Sequence, residues 1–141
     1  MPHPADELDN LLRYAYEKAH SLGVPAAPGT PFAVVMGSDG SCSAFGLQNP
    51  PRLWSDAVDG LLYTLCSGAE SGAYRVAGYC GADVFKFPTD FRNHLALHVH
   101  LEHQEGDAAD YALALDGPVR VRPPRYEDWI RTDGSREIFG C

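Results

Sequence analysis

Residues 94–102, HLALHVHLE, decide the fold, because apolar and polar side chains alternate along the whole stretch. Successive side chains of a strand point to opposite faces, so this alternation predicts a β-strand. One face is entirely aliphatic and consists of Leu95, Leu97, Val99 and Leu101. The other face carries His94, Ala96, His98, His100 and Glu102. Since the aliphatic face must meet the core, the histidine face meets solvent, a cleft or a partner.

A second alternating run, residues 109–115 (ADYALAL), follows closely and predicts a hairpin with the first. A five-residue loop over residues 104–108 opposes His98 to Ala114, His100 to Ala112 and Glu102 to Asp110. Both strands then agree on which face is the core face, which favours their pairing. Small alanine side chains beside the histidines leave room above that face.

Outside the hairpin, helical spacing of apolar residues predicts helices at 5–22 and from Ser55 to about Gly68. Short β-type runs predict strands near 32–37, 42–47, 73–80 and 83–87, and a last strand or turn around 126–130. The order α-β-β-α-β-β-β-β predicts an α+β fold, with two helices packed on one mixed, largely antiparallel sheet of about five to six strands. Residues 1–141 are predicted to form a single domain, with residues 118–141 as an Arg- and Pro-rich C-terminal tail packed on it.

The first half of the chain resembles the cytidine-deaminase-like fold in layout. Residues 5–80 share its order of a helix, a hairpin that carries Asp39-Gly40, a second helix and a further strand. That family has His or Cys, then Ala and Glu, at the start of the second helix, and P-C-x-x-C before the next. Here the helix opens with Trp54-Ser55-Asp56-Ala57, and P-C-x-x-C does not occur. The resemblance implies a fold without the zinc chemistry of deamination, and a roadblock- or profilin-like layout fits the same order nearly as well.

The amino-acid composition limits the classes of partner that the protein is expected to bind. The 141 residues carry 11 Lys+Arg and 19 Asp+Glu, a formal net charge of −8. This charge disfavours nucleic acid, whose affinity comes largely from Lys and Arg contacts to phosphate, and it disfavours anionic membrane surfaces. The start of the chain, MPHPADELDN, has neither the basic nor the apolar region of a secretory signal, so a cytoplasmic location is expected.

The cysteines are Cys42, Cys66, Cys80 and Cys141, and no two of them form a C-x-x-C pair. A zinc knuckle and a thioredoxin-like redox motif are therefore not indicated. The expected location favours reduced thiols, with Cys66 as a small buried side chain of the second helix, although an even number of cysteines also allows a disulfide.

Three interpretations of the histidine face remain open. It can be a solvated polar face. It can bind a divalent metal through His98 and His100, with a carboxylate from Glu105 or Glu102, since His-x-His on one strand face places two imidazoles together. It can perform metal-free proton transfer with His98, His100, Glu102 and Asp110 as catalytic residues, because a carboxylate beside a histidine raises the pKa of the imidazole and fixes its tautomer. No cofactor is expected apart from such a metal.

The tail adds Arg120 and Arg122, which share one face of the stretch VRVR and are suited to bind a carboxylate or phosphate of a small anionic ligand.

These observations are compatible with two functions from different classes. The first is a small acidic binding or accessory protein, similar in role to an immunity protein or regulator, that takes a protein partner. The second is a small enzyme that uses the histidine face for proton transfer or metal-assisted chemistry on a small anionic substrate. A sheet edge near 83–87 makes either a monomer or a dimer compatible with the sequence.

Overall fold

A computed structural model describes residues 4–21, 31–47, 49, 51–86, 93–115 and 128–140. The helices are α1 (Pro4–Ser21) and α2 (Trp54–Glu70). The strands are β1 (Phe32–Gly37), β2 (Cys42–Phe45), β3 (Tyr74–Lys86), β4 (Asn93–His103), β5 (Ala108–Ala114) and β6 (Ile130–Asp133). Neither helix in these ranges is both long and apolar enough to cross a bilayer.

The six strands form one sheet in the order β2-β1-β3-β4-β5-β6, and each neighbouring pair is antiparallel. Two helices pack on this sheet, so the predicted α+β fold and its element order are confirmed. The order places β3 and β4 at the centre, and β4 contains the alternating stretch from which the fold was predicted.

The helices cover opposite faces of the sheet. On one face, α1 buries Leu8, Leu11, Leu12, Ala15 and Ala19 against a cluster that includes Leu97, Val99 and Leu101 of β4. On the other face, α2 buries Val58, Leu61 and Leu65 against Ala33, Val35, Ala77 and Tyr79, together with Ile138. The aliphatic face of β4 therefore meets α1, and its histidine face lies on the α2 side.

The two strands predicted near 73–80 and 83–87 are one continuous strand, β3. Gly81 does not interrupt the ladder, because it pairs with His98 of β4. A side chain at this glycine would collide with the ring of Trp54, so the residue serves close packing rather than a turn. Residues 83–86, within the segment expected to form a pairing edge, pair with β4 on one side, whereas β1 pairs with residues 74–80 of β3.

The ends of α2 also differ from the prediction. The helix begins at Trp54 rather than at Ser55, and Leu53 before it forms no side-chain capping hydrogen bond. It passes Gly68 and ends at Glu70, because Gly72 adopts the left-handed conformation (φ 77°) that terminates it. The amide of Ala73 then donates to the Gly68 carbonyl and that of Gly72 to the Ala69 carbonyl, which is the Schellman pattern.

Cys66 is disulfide-bonded, whereas Cys42 and Cys80 are free thiols. The prediction that Cys66 is a reduced, buried thiol is therefore wrong, and Cys141 lies outside the described residues. The sequence had also allowed a disulfide, because the number of cysteines is even. Its sulfur lies 3.3 Å from the carbonyl oxygen of Glu137.

Candidate functional site

The hairpin of β4 and β5 has a register two residues away from the predicted one. His98 faces Ala112, His100 faces Asp110 and Glu102 faces Ala108. The loop has four residues, and the amide of His103 donates to the carbonyl of Asp107 across its base at 2.7 Å. The predicted register opposed the carboxylates of Glu102 and Asp110, which repel, whereas the observed one opposes a carboxylate to an imidazole. A shift of two residues keeps every side chain on its predicted face.

His100 lies between two carboxylates and is fully buried. Its Nδ1 is 2.7 Å from Oδ1 of Asp110, and its Nε2 is 2.7 Å from Oε2 of Glu102. Burial by itself lowers the pKa of an imidazole, but the hydrogen bonds and charges of Asp110 and Glu102 outweigh it and raise the pKa of His100 to about 9. At neutral pH His100 is therefore an imidazolium that donates through both nitrogens.

Glu102 is also fully buried, and backbone amides complete its hydrogen bonding. The N–H groups of Glu137, Ile138 and Phe139 donate to its carboxylate at 2.8, 2.9 and 3.1 Å. Burial would raise the pKa of Glu102, but His100 and these three amides lower it on balance. The carboxylate is thus ionised, and it joins β4 to residues 134–140, which we call the 134–140 segment.

Asp110 connects His100 to His98. Its Oδ1 is 3.4 Å from Nε2 of His98, and about one third of its side chain is exposed. Burial would raise the pKa of Asp110, but hydrogen bonds from His100 and His98 hold it well below its usual range. The four residues predicted as catalytic, His98, His100, Glu102 and Asp110, therefore form one hydrogen-bonded chain that runs from the interior towards the surface.

Aromatic rings surround the two histidines. Tyr79 stacks on His100 with ring centroids 5.1 Å apart, and it meets His98 edge-on at 6.0 Å. The ring centroid of Trp54 lies 6.3 Å from that of His98. Burial, together with the carboxylates of Glu137, Asp110 and Glu102, keeps the pKa of Tyr79 far above its ordinary value. Tyr79 is therefore a neutral partner of the imidazolium.

This geometry favours a structural role for His100. Both of its nitrogens are directed at carboxylates, and its protonated state leaves no lone pair with which to accept a proton at neutral pH. His98 is oriented with Nε2 towards Asp110, while its Nδ1 is buried. Neither ring thus presents a nitrogen to an open surface.

The metal interpretation gains no support from the arrangement. Glu105 is exposed in the β4–β5 loop, where its amide donates to Nδ1 of His103 at 3.1 Å. Among the residues that the structure describes, no group of three His, Cys, Asp or Glu side chains is placed to hold a metal ion. Arg120 and Arg122, the predicted ligand-binding residues, lie outside the described ranges.

A second buried ionic network, which the sequence did not indicate, lies on the α1 side of the sheet. Glu7 of α1 accepts a hydrogen bond from Nε2 of His103 at 3.0 Å and from Arg75 of β3 at 2.8 Å. Burial would raise the pKa of Glu7, but His103 and Arg75 lower it on balance. Arg75 also donates to the carbonyl of Ser38, so one guanidinium joins α1, β3 and the β1–β2 turn.

The outer face of α2 is the exposed surface that stands out in charge and polarity. Asp56, Asp59, Tyr63, Ser67 and Glu70 recur at steps of three and four, and all five are exposed. The helix contains no basic residue. Tyr63 is 82% exposed, and Leu53, directly before the helix, is 65% exposed; these are the exposed large apolar side chains of the described residues. We call this stripe, with Leu53, the α2 outer face.

In comparisons with known proteins, no family model, no curated protein and no solved structure matches the chain. The resemblance of residues 5–80 to the cytidine-deaminase-like fold therefore stays a prediction from the sequence.

Several residues of the site carried no signal in the sequence. Tyr79, Trp54 and the amides of the 134–140 segment come from three separate parts of the chain. The type of a residue does not reveal what its backbone amide will bind. No sequence motif could therefore predict that three amides donate to Glu102. A buried carboxylate in the first turn of α1 looks the same in sequence as a solvated one, and Glu7 was missed for that reason.

Proposed function

We propose that this protein is a non-catalytic binding or accessory protein whose α2 outer face takes a basic, partly apolar segment of a partner protein. The observation that carries the proposal is the placement of Tyr63, which is 82% exposed, in a stripe of α2 that contains carboxylates and no basic side chain, with the exposed Leu53 directly before the helix. Aromatic side chains are enriched among the residues that dominate binding energy at protein interfaces. Acidic neighbours steer a cationic partner towards such a residue.

A comparison with α1 supports the choice of surface. The exposed side of α1 carries charges of both signs, among them Asp6, Arg13 and Glu17. The exposed side of α2 carries Asp56, Asp59 and Glu70 alone as charged groups. Charge complementarity to a cationic segment is therefore a property of α2 and not of α1. A formal net charge of −8 extends the same attraction over the rest of the molecule.

The alternative, an enzyme that moves protons on a small anionic substrate, has weaker support. The chain of His98, Asp110, His100 and Glu102 would serve it as an acid–base relay, but the two carboxylates occupy both nitrogens of His100. The same ion network has a sufficient explanation in the binding protein, where it holds the sheet and the 134–140 segment together.

The first test is an NMR titration of the intact, isotope-labelled protein with a short peptide of Lys, Arg and Leu. We expect shift changes concentrated on the α2 outer face. Tyr63→Ser should weaken binding about tenfold, because it removes the exposed aromatic contact. Its thermal unfolding midpoint should stay unchanged, since Tyr63 is 82% exposed.

A charge-matched pair of variants separates a specific site from general attraction. Asp59→Asn on α2 and Glu17→Gln on α1 each remove one exposed carboxylate. We expect Asp59→Asn to weaken peptide binding and to reduce its dependence on salt, with a smaller effect of Glu17→Gln. Equal effects of the two variants, or shift changes spread evenly over both helices, would contradict the proposal.

A further inference from the structure

The exposed side chains of the α2 outer face lie in a line along the helix. The steps from Asp56 through Asp59, Tyr63 and Ser67 to Glu70 are three, four, four and three residues, an average of 3.5. Because this average is close to one helical turn, the stripe runs nearly parallel to the helix axis. With a rise of about 1.5 Å per residue, it extends over about 21 Å. The stripe is thus straight and long enough to contact one partner element along its whole length.

The aromatic ring lies midway between the terminal carboxylates of this line. Tyr63 is seven residues from Asp56 and seven residues from Glu70, which corresponds to about 10 Å along the axis in either direction. Its neighbours one turn away, Asp59 and Ser67, have shorter side chains, and the Tyr63 side chain is 82% exposed. The face therefore has a protruding ring at its centre and a carboxylate at each end.

Both ends of the face attract cations. At the first end, Asp56 and Asp59 carry two negative charges, whereas the exposed Arg52, two residues before the helix, carries one positive charge. At the other end Glu70 carries the negative charge, and the helix contains no Lys or Arg. A partner with one compact group of basic residues can use only one end, whereas two separated cations can use both.

The backbone of α2 restricts the form of the partner. Apart from the termini, its N–H and C=O groups are hydrogen-bonded within the helix, so the face offers side chains only. An extended peptide that adds to a sheet gains affinity from main-chain hydrogen bonds at the sheet edge, which a helix surface does not supply. A helix binds through side chains, and a spacing of about 3.5 residues is the one at which two helices pack at about 20° over several turns. The face therefore favours a helix as its occupant.

Given the proposed function, on which this inference rests, we propose that the partner segment is an amphipathic helix with apolar side chains at the centre of its binding face and a basic residue about seven positions to either side. The apolar side chains pack beside the ring of Tyr63. The two cations pair with the carboxylates of Asp56 and Glu70. The order of residues in the partner, and not only its net charge, then decides binding.

Three alanine-rich peptides of about 18 residues test the order, in NMR titrations of the intact, isotope-labelled protein at one salt concentration. The first has two lysines about 14 residues apart and leucines midway on the same helical face. The second has the same composition with the lysines adjacent at one end. The third is the first with one central alanine replaced by proline, which breaks the helix. We expect the first peptide to bind the α2 outer face at least about tenfold more tightly than the other two.

The outcomes separate this inference from the proposed function. Equal affinities of the three peptides at the α2 outer face would overturn the helical pattern and leave a basic, partly apolar partner in place. If no peptide produced shift changes on that face, both proposals would be wrong.

Single carboxylate variants locate the two cations. Asp56→Asn and Glu70→Gln should each weaken binding of the first peptide about threefold, whereas Glu17→Gln, which removes an exposed carboxylate of α1, should not. When one peptide lysine is replaced by glutamine, one of the two α2 variants should lose its effect, because the pair that it removes is already absent. If both α2 variants kept their full effect whichever lysine was replaced, the carboxylates would act at long range, and the paired arrangement would be refuted.

Discussion

His100 and His103 lie in the same strand, but they form hydrogen bonds with different kinds of partner. His100 faces two carboxylates and donates to both, so its ring is an imidazolium. Nδ1 of His103 accepts a hydrogen bond from the amide of Glu105, and its Nε2 donates to Glu7. Two residues of one type thus serve different parts of the fold: His100 joins two carboxylates on one side of the sheet, and His103 joins α1 to the β4–β5 loop on the other.

The protonation of His100 predicts how stability depends on pH. Folding raises the pKa of His100 from 6.5 to about 9, which corresponds to a stabilisation of about 3 kcal/mol. Since the folded pKa is above the unfolded one, this stabilisation is complete below pH 6.5 and is lost as the pH rises through about 9. Urea unfolding at several pH values between 6 and about 10 should show the decline.

His100→Gln is the comparison that isolates this residue. The buried Tyr79 and Cys80, whose pKa values are also raised by burial, destabilise the protein in the same direction at high pH. The variant retains both groups, so the difference between its pH profile and that of the parent belongs to His100. Parallel profiles for the two proteins between pH 6 and about 9 would show that His100 does not carry the charge.

At the scale of elements, the central pair of strands depends on glycine for its close approach. Gly78 of β3 pairs with Leu101 of β4, and a Cβ added at Gly78 would collide with the carbonyl oxygen of His100. That collision involves backbone, which cannot move away as the end of a flexible side chain can. The run of β-type residues predicts the strand, but it does not show that the close approach of β4 requires a glycine at position 78.

Gly78→Ala should lower the free energy of unfolding by at least about 2 kcal/mol, because the ladder next to His100 must shift to admit the methyl group. Gly46→Ala is the matched control, since a Cβ there meets open space and should change stability by less than about 0.5 kcal/mol. Chemical denaturation of both variants measures the difference. Equal stabilities for the two would mean that β3 and β4 lie further apart at this position than the structure has them.

At the scale of the whole molecule, two ionic networks hold the layers together from opposite sides. Glu7, His103 and Arg75 connect α1 to the sheet, and Asp110, His100 and Glu102 connect the sheet to the 134–140 segment. The two networks start from neighbouring residues of β4, since Glu102 and His103 point to opposite faces. The end of β4 is therefore the place where both sides of the fold are joined.

Glu7→Gln should destabilise the protein by about 2 kcal/mol, because it removes a buried charge that Arg75 and His103 both contact. Glu17→Gln makes the same chemical change on the exposed side of α1 and should have little effect. Thermal unfolding of both variants gives the comparison. A destabilisation by Glu17→Gln as large as that by Glu7→Gln would assign the effect to the charge of the helix and not to the buried network.

The sequence by itself determined the element types, the element order and the two faces of β4, because these follow from local periodicity. The two-residue repeat of a strand assigns Leu97 and His98 to opposite faces, and this assignment does not depend on contacts with distant residues. The pairing of strands was only partly determined, since a shift of two residues preserves the same faces. The observed pairing of β4 with β5 depends on the four-residue loop at 104–107, which brings Asp110 opposite His100.

Only the tertiary structure decided what the polar residues do. The charge of His100 depends on Asp110 and Glu102, and that of Glu102 depends on amides 35 to 37 residues further along the chain. The burial of Glu7 likewise arises from contacts between distant segments. Apolar periodicity is a local property, whereas the protonation state of a side chain is set by the groups within a few ångströms of it, and folding alone brings those groups together.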